Sequence, residues 1–286
     1  MLRLGRRTFA RDEYAVMAII NRTPDSFFDR GATFAQDAAL RSVADAVGHG
    51  ADIIDIGGVK AGPGDTVDVA EELRRTVPTV AAVRARFPDI VISVDTWRAE
   101  VAREAVAAGA DLINDTWAGA DERLAEIAAA TGAGLVCSHA GGLRPRSRPH
   151  RAAFADVVAD VVATVTRLAD QAVASGVRRD GILIDPAHDF GKNTRHSLEL
   201  TRRLGELVDT GWPVLVAVSN KDFIGEALDL PVEDRLEGTL AATAVSAWLG
   251  ARVFRAHHVQ QTRRVLDMVA AIRGERQPAV SRRGLA

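Results

Sequence analysis

Short runs of apolar residues recur along the whole chain, each followed by polar residues and then a helical stretch, and several opened by a small-residue turn. The runs are Ala15–Ile20, Ile53–Ile56, Ile90–Val94, Leu112–Ile113, Leu135–Cys137, Ile182–Ile184, Val214–Val218 and Val253–Phe254. Strands that are apolar on both faces belong in a parallel sheet covered by helices. The segments between them read as amphipathic helices, for example Val101–Ala108 and Phe154–Ser175. Gly50-Ala51-Asp52, Gly109-Ala110-Asp111, Gly132-Ala133-Gly134 and Gly250-Ala251-Arg252 each stand just before a run. Glycine there can take the left-handed conformation that ends a helix and lets the next strand begin at once. Eight such units predict an α/β fold, a single-domain (β/α)₈ TIM barrel over residues 15–273. Residues 1–14 are expected to form an N-terminal extension and residues 274–286 a polar, flexible tail. An open doubly wound sheet is the alternative, but its glycine-rich G-x-G-x-x-G turn is missing.

Bulk properties narrow the function classes. The 286 residues are enough for one large core, and a net charge of −2 gives no reason to expect nucleic acid or an acidic membrane as partner. Cys137 is the only cysteine, so no internal disulfide can form, which fits a cytoplasmic protein. Arg6-Arg7-Thr8-Phe9 resembles a twin-arginine export signal, but Arg11-Asp12-Glu13 follows where an apolar region is required. No apolar run approaches the roughly 20 residues of a membrane helix.

A barrel of this kind carries its active site at the C-terminal ends of the strands. The residues that follow the runs are Asn21, Gly57-Gly58, Asp95-Thr96, Asn114-Asp115, Ser138-His139, Asp185-Pro186, Ser219-Asn220-Lys221, and Arg255 with His257-His258. Singly, each reads as a loop or cap residue; Asp95 and Asp185, for instance, could cap the helices that follow. Together they form a convergent polar cluster on an apolar scaffold, the usual setting of a ligand site. Two carboxylates, a carboxamide and a lysine suit a flat heterocycle with mixed donors and acceptors. A carboxylate accepts two N–H bonds side by side, a lysine donates to a ring carbonyl, and an asparagine does both. Arg255 and His257 could bind phosphate or lie against a ring face.

Six stretches, in order over about residues 15 to 270, resemble the dihydropteroate synthase family. Asn21-Arg22-Thr23-Pro24-Asp25-Ser26-Phe27 is similar to its Asn-Val-Thr-Pro-Asp-Ser-Phe signature. Ser93-Val94-Asp95-Thr96 and Gly109-Ala110-Asp111-Leu112-Ile113-Asn114-Asp115 resemble its third and fourth strands. Asp185-Pro186 with Phe190-Gly191-Lys192 resembles Asp-Pro-Gly-x-Gly-Phe-Gly-Lys. Ser219-Asn220-Lys221-Asp222-Phe223-Ile224-Gly225 resembles Ser-Arg-Lys-Ser-Phe-Ile-Gly, and Arg255-Ala256-His257 resembles Arg-Val-His. The family joins a dihydropterin methyl diphosphate to p-aminobenzoate and releases diphosphate. By position, the resemblance implies that Asp95, Asn114, Asp185, Phe190, Lys221 and Arg255 hold the pterin. Asn21, Arg255 and His257 would hold diphosphate, and Asn21, Lys221, Arg255 and His257 form the implied catalytic set. Mg²⁺ is implied near Asn21, and only when the diphosphate substrate is bound.

The departures from the family pattern cluster around the second substrate. Arg22 replaces valine. The second loop, Gly-Gly-Glu-Ser-Thr-Arg-Pro-Gly in the family, reads Gly57-Gly58-Val59-Lys60-Ala61-Gly62-Pro63-Gly64. Asn220 replaces arginine, Asp222 replaces serine, and Ser138-His139-Ala140 stands for Met-His-Met. The diverged pocket thus comprises Arg22, Lys60, Ala61, Gly62, Asn220 and Asp222. Asp222 is expected to take the free N–H groups of the helix after the seventh strand and to repel the p-aminobenzoate carboxylate. Arg22 and Lys60 could compensate. The pattern implies a diverged second copy with little or no synthase activity. An active synthase, a pterin-dependent methyltransferase-like protein and a non-enzymatic scaffold remain alternatives. A metal hydrolase using His139, His188, His257 and His258 would need a His-x-His or H-E-x-x-H motif, and neither is present. Gly238–Gly250 contains no charged residue. An outer helix without a charged face suggests that its outer side is covered, and the family pairs through its last helices, so a homodimer is expected.

Overall fold

In the computed structural model, which describes residues 1–24, 31–147 and 153–284, the repeating pattern becomes a parallel barrel. A short antiparallel hairpin, β1 (Leu2–Leu4) and β2 (Arg7–Phe9), precedes it. The barrel strands are β3 (Ala15–Asn21), β4 (Ile53–Gly57), β5 (Val91–Asp95), β6 (Leu112–Asp115), β7 (Gly134–Ser138), β8 (Ile182–Asp185), β9 (Leu215–Val216) and β10 (Val253–Ala256). They pair in parallel in the order β8-β7-β6-β5-β4-β3-β10-β9. A single parallel bridge between Ile184 and Val214 joins the two ends, with the Ile184 N–H donating to the Pro213 carbonyl at 3.0 Å.

Helices surround the sheet: α1 (Gln36–Gly48), α2 (Val69–Arg86), α3 (Ala99–Ala107), α4 (Arg123–Thr131), α5 (Val157–Ala174), α6 (Thr194–Arg202), α7 (Gly205–Val208), α8 (Asp222–Leu228), α9 (Leu236–Trp248) and α10 (Val259–Ile272). The expected glycine stops are used: φ is +92° at Gly50, +117° at Gly109, +75° at Gly132 and +108° at Gly250. The aspartates of two of these turns then brace neighbouring strands. Asp52 accepts from the Val16 N–H at 3.0 Å, and Asp111 accepts from the Ile92 N–H at 3.0 Å and from Arg84 at 2.5 Å.

Side chains alternate inward and outward along each strand. Outward residues such as Val16, Ile54, Ile92, Ile113 and Phe254 pack against the helices. Inward residues Met17, Ile53, Val91, Leu112, Val136, Leu183, Leu215 and Val253 fill the lower barrel, and Leu2, Leu4 and Phe9 of the hairpin join the same cluster. The first residues of the chain therefore close the barrel floor. Two positions further along β4, β5, β6, β8 and β10 the inward residues are polar: Asp55, Ser93, Asn114, Asp185 and Arg255. The ladder extends through most of the polar strand tips, so those residues sit on strands rather than in loops. The seventh strand is the exception, running only over Leu215–Val216 instead of Val214–Val218. After Val216 the chain turns, with the Lys221 N–H bonded to the Val218 carbonyl and the Asn220 N–H to the Thr239 hydroxyl.

Leu4 is fully buried in the barrel floor. Leu4→Ala should lower stability by about 2–5 kcal/mol, measured by urea unfolding. A neutral outcome would mean that the hairpin is not part of the cooperative core.

Candidate active site

A charge in the middle of a doubly buried strand must find a partner. Asp55 lies in β4 with no exposed surface, and it is the centre of the site. Arg255 Nε donates to Asp55 Oδ2 at 2.6 Å, while the same guanidinium donates to Asp95 Oδ2 at 2.9 Å. Ser93 Oγ donates to Asp55 Oδ1 at 2.6 Å, and Asn114 Nδ2 reaches both Asp55 oxygens at 3.3–3.4 Å. Thr116 Oγ1 donates to Asp95 Oδ1 at 3.1 Å. Burial pushes the Asp95 carboxyl above its ordinary range, against the pull of Arg255.

Asp55 and Ser93 escape a reading by strand ends, because each is a single polar position inside an apolar run. The signal was present. Asp55 and Arg255 share the inward parity of Ile53 and Val253, so both charges point into the barrel, from strands on either side of β3. Neither Asp95 nor Asp185 acts as the cap of the following helix. The N-cap of α3 is Arg98 and that of α6 is Asn193, while Asp185 accepts from the Ala187 N–H at 2.7 Å inside its own turn. Asp185 is buried, which raises its carboxyl above the ordinary value despite Lys221, the Ala187 N–H, Lys192 and Arg255.

Beside this girdle lies a cavity of about 300 Å³, lined among others by Asn21, Asp95, Phe190, Lys221, Arg255 and His257. Asn114 and Asp185, expected to line the same cavity, are not among its lining residues; they stand on β6 and β8, next to Asp95 and Ser138 in register. Lys221 donates to the His188 carbonyl, and its ammonium stands 4.7 Å from the centre of the Phe190 ring. Burial pushes its pKa down, opposed by Asp189 and Asp185. Trp117 meets Phe190 edge-on at 5.3 Å and forms an aromatic part of the wall. His257 is paired through Nδ1 with Ser219 Oγ at 3.0 Å, and burial with the nearby Arg255 pushes it down to about 3, so it stays neutral.

The loop after β8 is held from within. Lys192 is buried and donates to three carbonyls, those of His139, Ala187 and Phe190, at 3.1, 3.1 and 2.7 Å. Three acceptors match the three N–H bonds of an ammonium, although burial and Lys221 lower this group to about 7. At Gly191, with φ +64°, a side chain would begin 2.8 Å from the Ala140 carbonyl and the Gly141 Cα, so two loops touch backbone to backbone. Where the family loop has its first two glycines, this chain has Ala187 and Asp189, at φ +49° and +69°. These departures were also missed. Asp189 compensates for its left-handed backbone by bonding Ser197 Oγ at 3.0 Å and the Phe223 N–H at 3.3 Å.

The residues of the diverged set do not all face the cavity. Lys60, Ala61, Gly62 and Asp222 line it. Arg22 is buried elsewhere, donating to the carbonyls of Arg75 at 3.2 Å, Thr33 at 3.0 Å and Phe34, so its charge is not presented to a ligand. Asn220 is buried at φ +55° and turned to Thr239, whose hydroxyl donates to its Oδ1 at 3.3 Å. Asp222 does not take the N–H groups of α8. It is 81% exposed and paired with Arg235 at 2.9 Å, while Asp189 takes the Phe223 N–H. The cause is Arg235, whose guanidinium also holds the Asn220 carbonyl at 3.0 Å and draws the carboxylate outward. Of the first signature, Asp25, Ser26 and Phe27 lie outside the described residues. The histidines have separate partners: His139 pairs with Asp160 at 2.7 Å and His188 with Thr201 at 3.1 Å.

Known proteins resemble this chain in sequence and fold. The model of the pterin binding enzyme family matches residues 17–257. An inactive dihydropteroate synthase 2 from Mycobacterium leprae is 58% identical over 284 residues, covering 98% of each chain. The crystal structure of Yersinia pestis dihydropteroate synthase with a sulfonamide drug complex superposes with a TM-score of 0.90 at 35% identity, over 96% of this chain and 99% of that one. The structure of Mycobacterium tuberculosis Rv1207 superposes with a TM-score of 0.73 at 50% identity, over 95% and 98%. With its barrel, its motifs and these relatives in agreement, the chain belongs to the pterin binding enzymes, as a member of the dihydropteroate synthase family.

Proposed function

We propose that the protein binds a pterin in the girdle half of the cavity and has dihydropteroate synthase activity that is absent or very weak. One contrast carries this reading. The polar girdle is complete and held by strands, whereas Ala61 and Gly62 leave the second wall without hydroxyl or guanidinium, and Asn220 is turned away from it. The name of the M. leprae relative supports the same conclusion. In this reading Asp185 accepts two N–H bonds from the pterin edge, Asn114 both donates and accepts, and Lys221 donates to the ring carbonyl. Arg255, fixed by Asp55 and Asp95, lies beside the ring and the diphosphate with His257.

Asn21 lines the cavity, and among the described residues no group of three or more histidine, cysteine, aspartate or glutamate side chains gathers to hold a metal. A single amide oxygen suits Mg²⁺, which keeps water and substrate oxygens as its other ligands. When bound with the diphosphate it would neutralise charge on the leaving group. Among the described residues no helix is long and apolar enough to cross a membrane. A cytoplasmic location, with Cys137 reduced and buried, belongs to the same proposal.

The homodimer is part of it too, and α9 supplies the support. Its polar residues Thr239, Thr243 and Ser246 are buried, while Val245 and Trp248 are 48% and 54% exposed. Met268 and Ile272 of α10 add 59% and 61% exposure. After its first turn, α9 thus sends its hydroxyls inward and Val245 and Trp248 outward, unlike a solvent-facing helix.

Calorimetry with the dihydropterin methyl diphosphate should show binding, and a turnover assay with p-aminobenzoate should give rates at least about a hundredfold below an active family member. Failure to bind would remove the proposal. Asp185→Asn should cost about 2–5 kcal/mol of pterin affinity; equal affinity in wild type and variant would show that the pocket is not used in this way. The ring needs Asp185 ionised, and its raised pKa brings protonation above the usual carboxylate range. Affinity should therefore fall as pH is lowered, beginning above the usual carboxylate range, and Asp185→Asn should flatten that dependence. Light scattering should give a dimer mass, and Trp248→Glu with Met268→Glu should give a monomer; a monomeric wild type at micromolar concentration would refute the pairing.

A further inference from the structure

The wall made by Val59, Lys60, Ala61 and Gly62 carries one charge, the Lys60 ammonium. The other charged groups of the cavity are engaged. Arg255 pairs with Asp55 and Asp95, Lys221 donates to His188, Asp189 holds Ser197 and the Phe223 N–H, and Asp222 pairs with Arg235. Among the described residues, Lys60 has neither hydrogen bond nor ion pair. Its Cε lies 3.8 Å from the point at which a side chain on residue 62 would begin. The lysine stem therefore runs alongside the place from which a side chain at position 62 would start, at van der Waals distance.

We propose that Lys60 sets the charge preference of the second-ligand half of the cavity, docking the carboxylate of an aryl amine in place of the arginine absent at 62. This rests on the reading that the adjoining half takes a pterin. Asp222, neutralised by Arg235 and well exposed, is a weak opponent of such an anion. A lysine attracts a carboxylate as a point charge and lacks the planar fork with which arginine fixes its orientation. The ligand is thus held but poorly aimed. A displacement of about 1 Å at the reacting atoms costs about a hundredfold in rate, so binding persists where turnover does not.

The test compares p-aminobenzoate with p-aminobenzamide by calorimetry, with and without 6-hydroxymethylpterin as the pterin-site probe. Wild type should prefer the carboxylate by about tenfold, as expected for a charge-assisted hydrogen bond at a half-buried site. Lys60→Met should abolish the preference, Lys60→Arg should keep it, and raising the salt concentration should shrink it in wild type. The proposal is overturned if wild type binds the amide as well as the acid, if it binds neither, or if Lys60→Met keeps the preference. Circular dichroism and pterin affinity equal to wild type establish that Lys60→Met is folded. If the pterin probe fails to bind while the carboxylate preference follows Lys60, the pterin reading falls and the role of Lys60 stands. If the pterin binds and the preference is missing, only the role of Lys60 falls.

Discussion

The ion-pair cluster of Arg255 with Asp55 and Asp95 governs the upper barrel. It joins β10, β4 and β5 across the throat, and Ser93, Asn114 and Thr116 complete the carboxylate hydrogen bonds. Removing one member of such a buried set costs about 3–5 kcal/mol, yet replacing the whole set by well-packed apolar side chains is often neutral or stabilising. Stability alone therefore does not account for it. What the cluster provides is a guanidinium whose plane is set before any ligand arrives, on strands that cannot shift independently.

That anchoring separates the two halves of the cavity. The girdle residues stand on a continuous hydrogen-bonded ladder. The second wall is built from the loop after β4 and the turn after the short β9, where no ladder constrains the side chains. Asn220 illustrates the consequence: its left-handed backbone and its bond to Thr239 commit it to α9 rather than to the ligand. Arg22 is similar, its guanidinium spent on backbone carbonyls of α2 and of the segment leading into α1. Substitutions at loop positions can redirect a side chain completely while the fold is untouched.

The barrel was legible because periodicity and glycine stops report backbone geometry directly. Asn21, Asp95, Lys221, Arg255 and His257 were legible as cavity residues because each comes at or just after the end of a run. Asp55 was not, since one charge among three isoleucines looks like a tolerated exception until strand parity is counted. The directions of Arg22, Asn220 and Asp222 were hidden for another reason. Each is decided by a partner distant in sequence: Arg75, Thr239 and Arg235 respectively. Composition could say that Gly238–Gly250 lacks charge, but only packing reveals that its threonines face inward and its tryptophan outward.

Lys192 has a role that reaches beyond its own loop. Its ammonium ties the turn after β7 to the turn after β8 by three carbonyls, as a bound metal ion might in another protein. This cation is attached by a covalent tether. It cannot be lost by dilution, taken by a chelator or exchanged for a competitor. The free protein consequently carries Asp185 and Phe190 in a ready-made frame that needs no bound metal and depends instead on Lys192 keeping its proton, which burial and Lys221 make easier to lose.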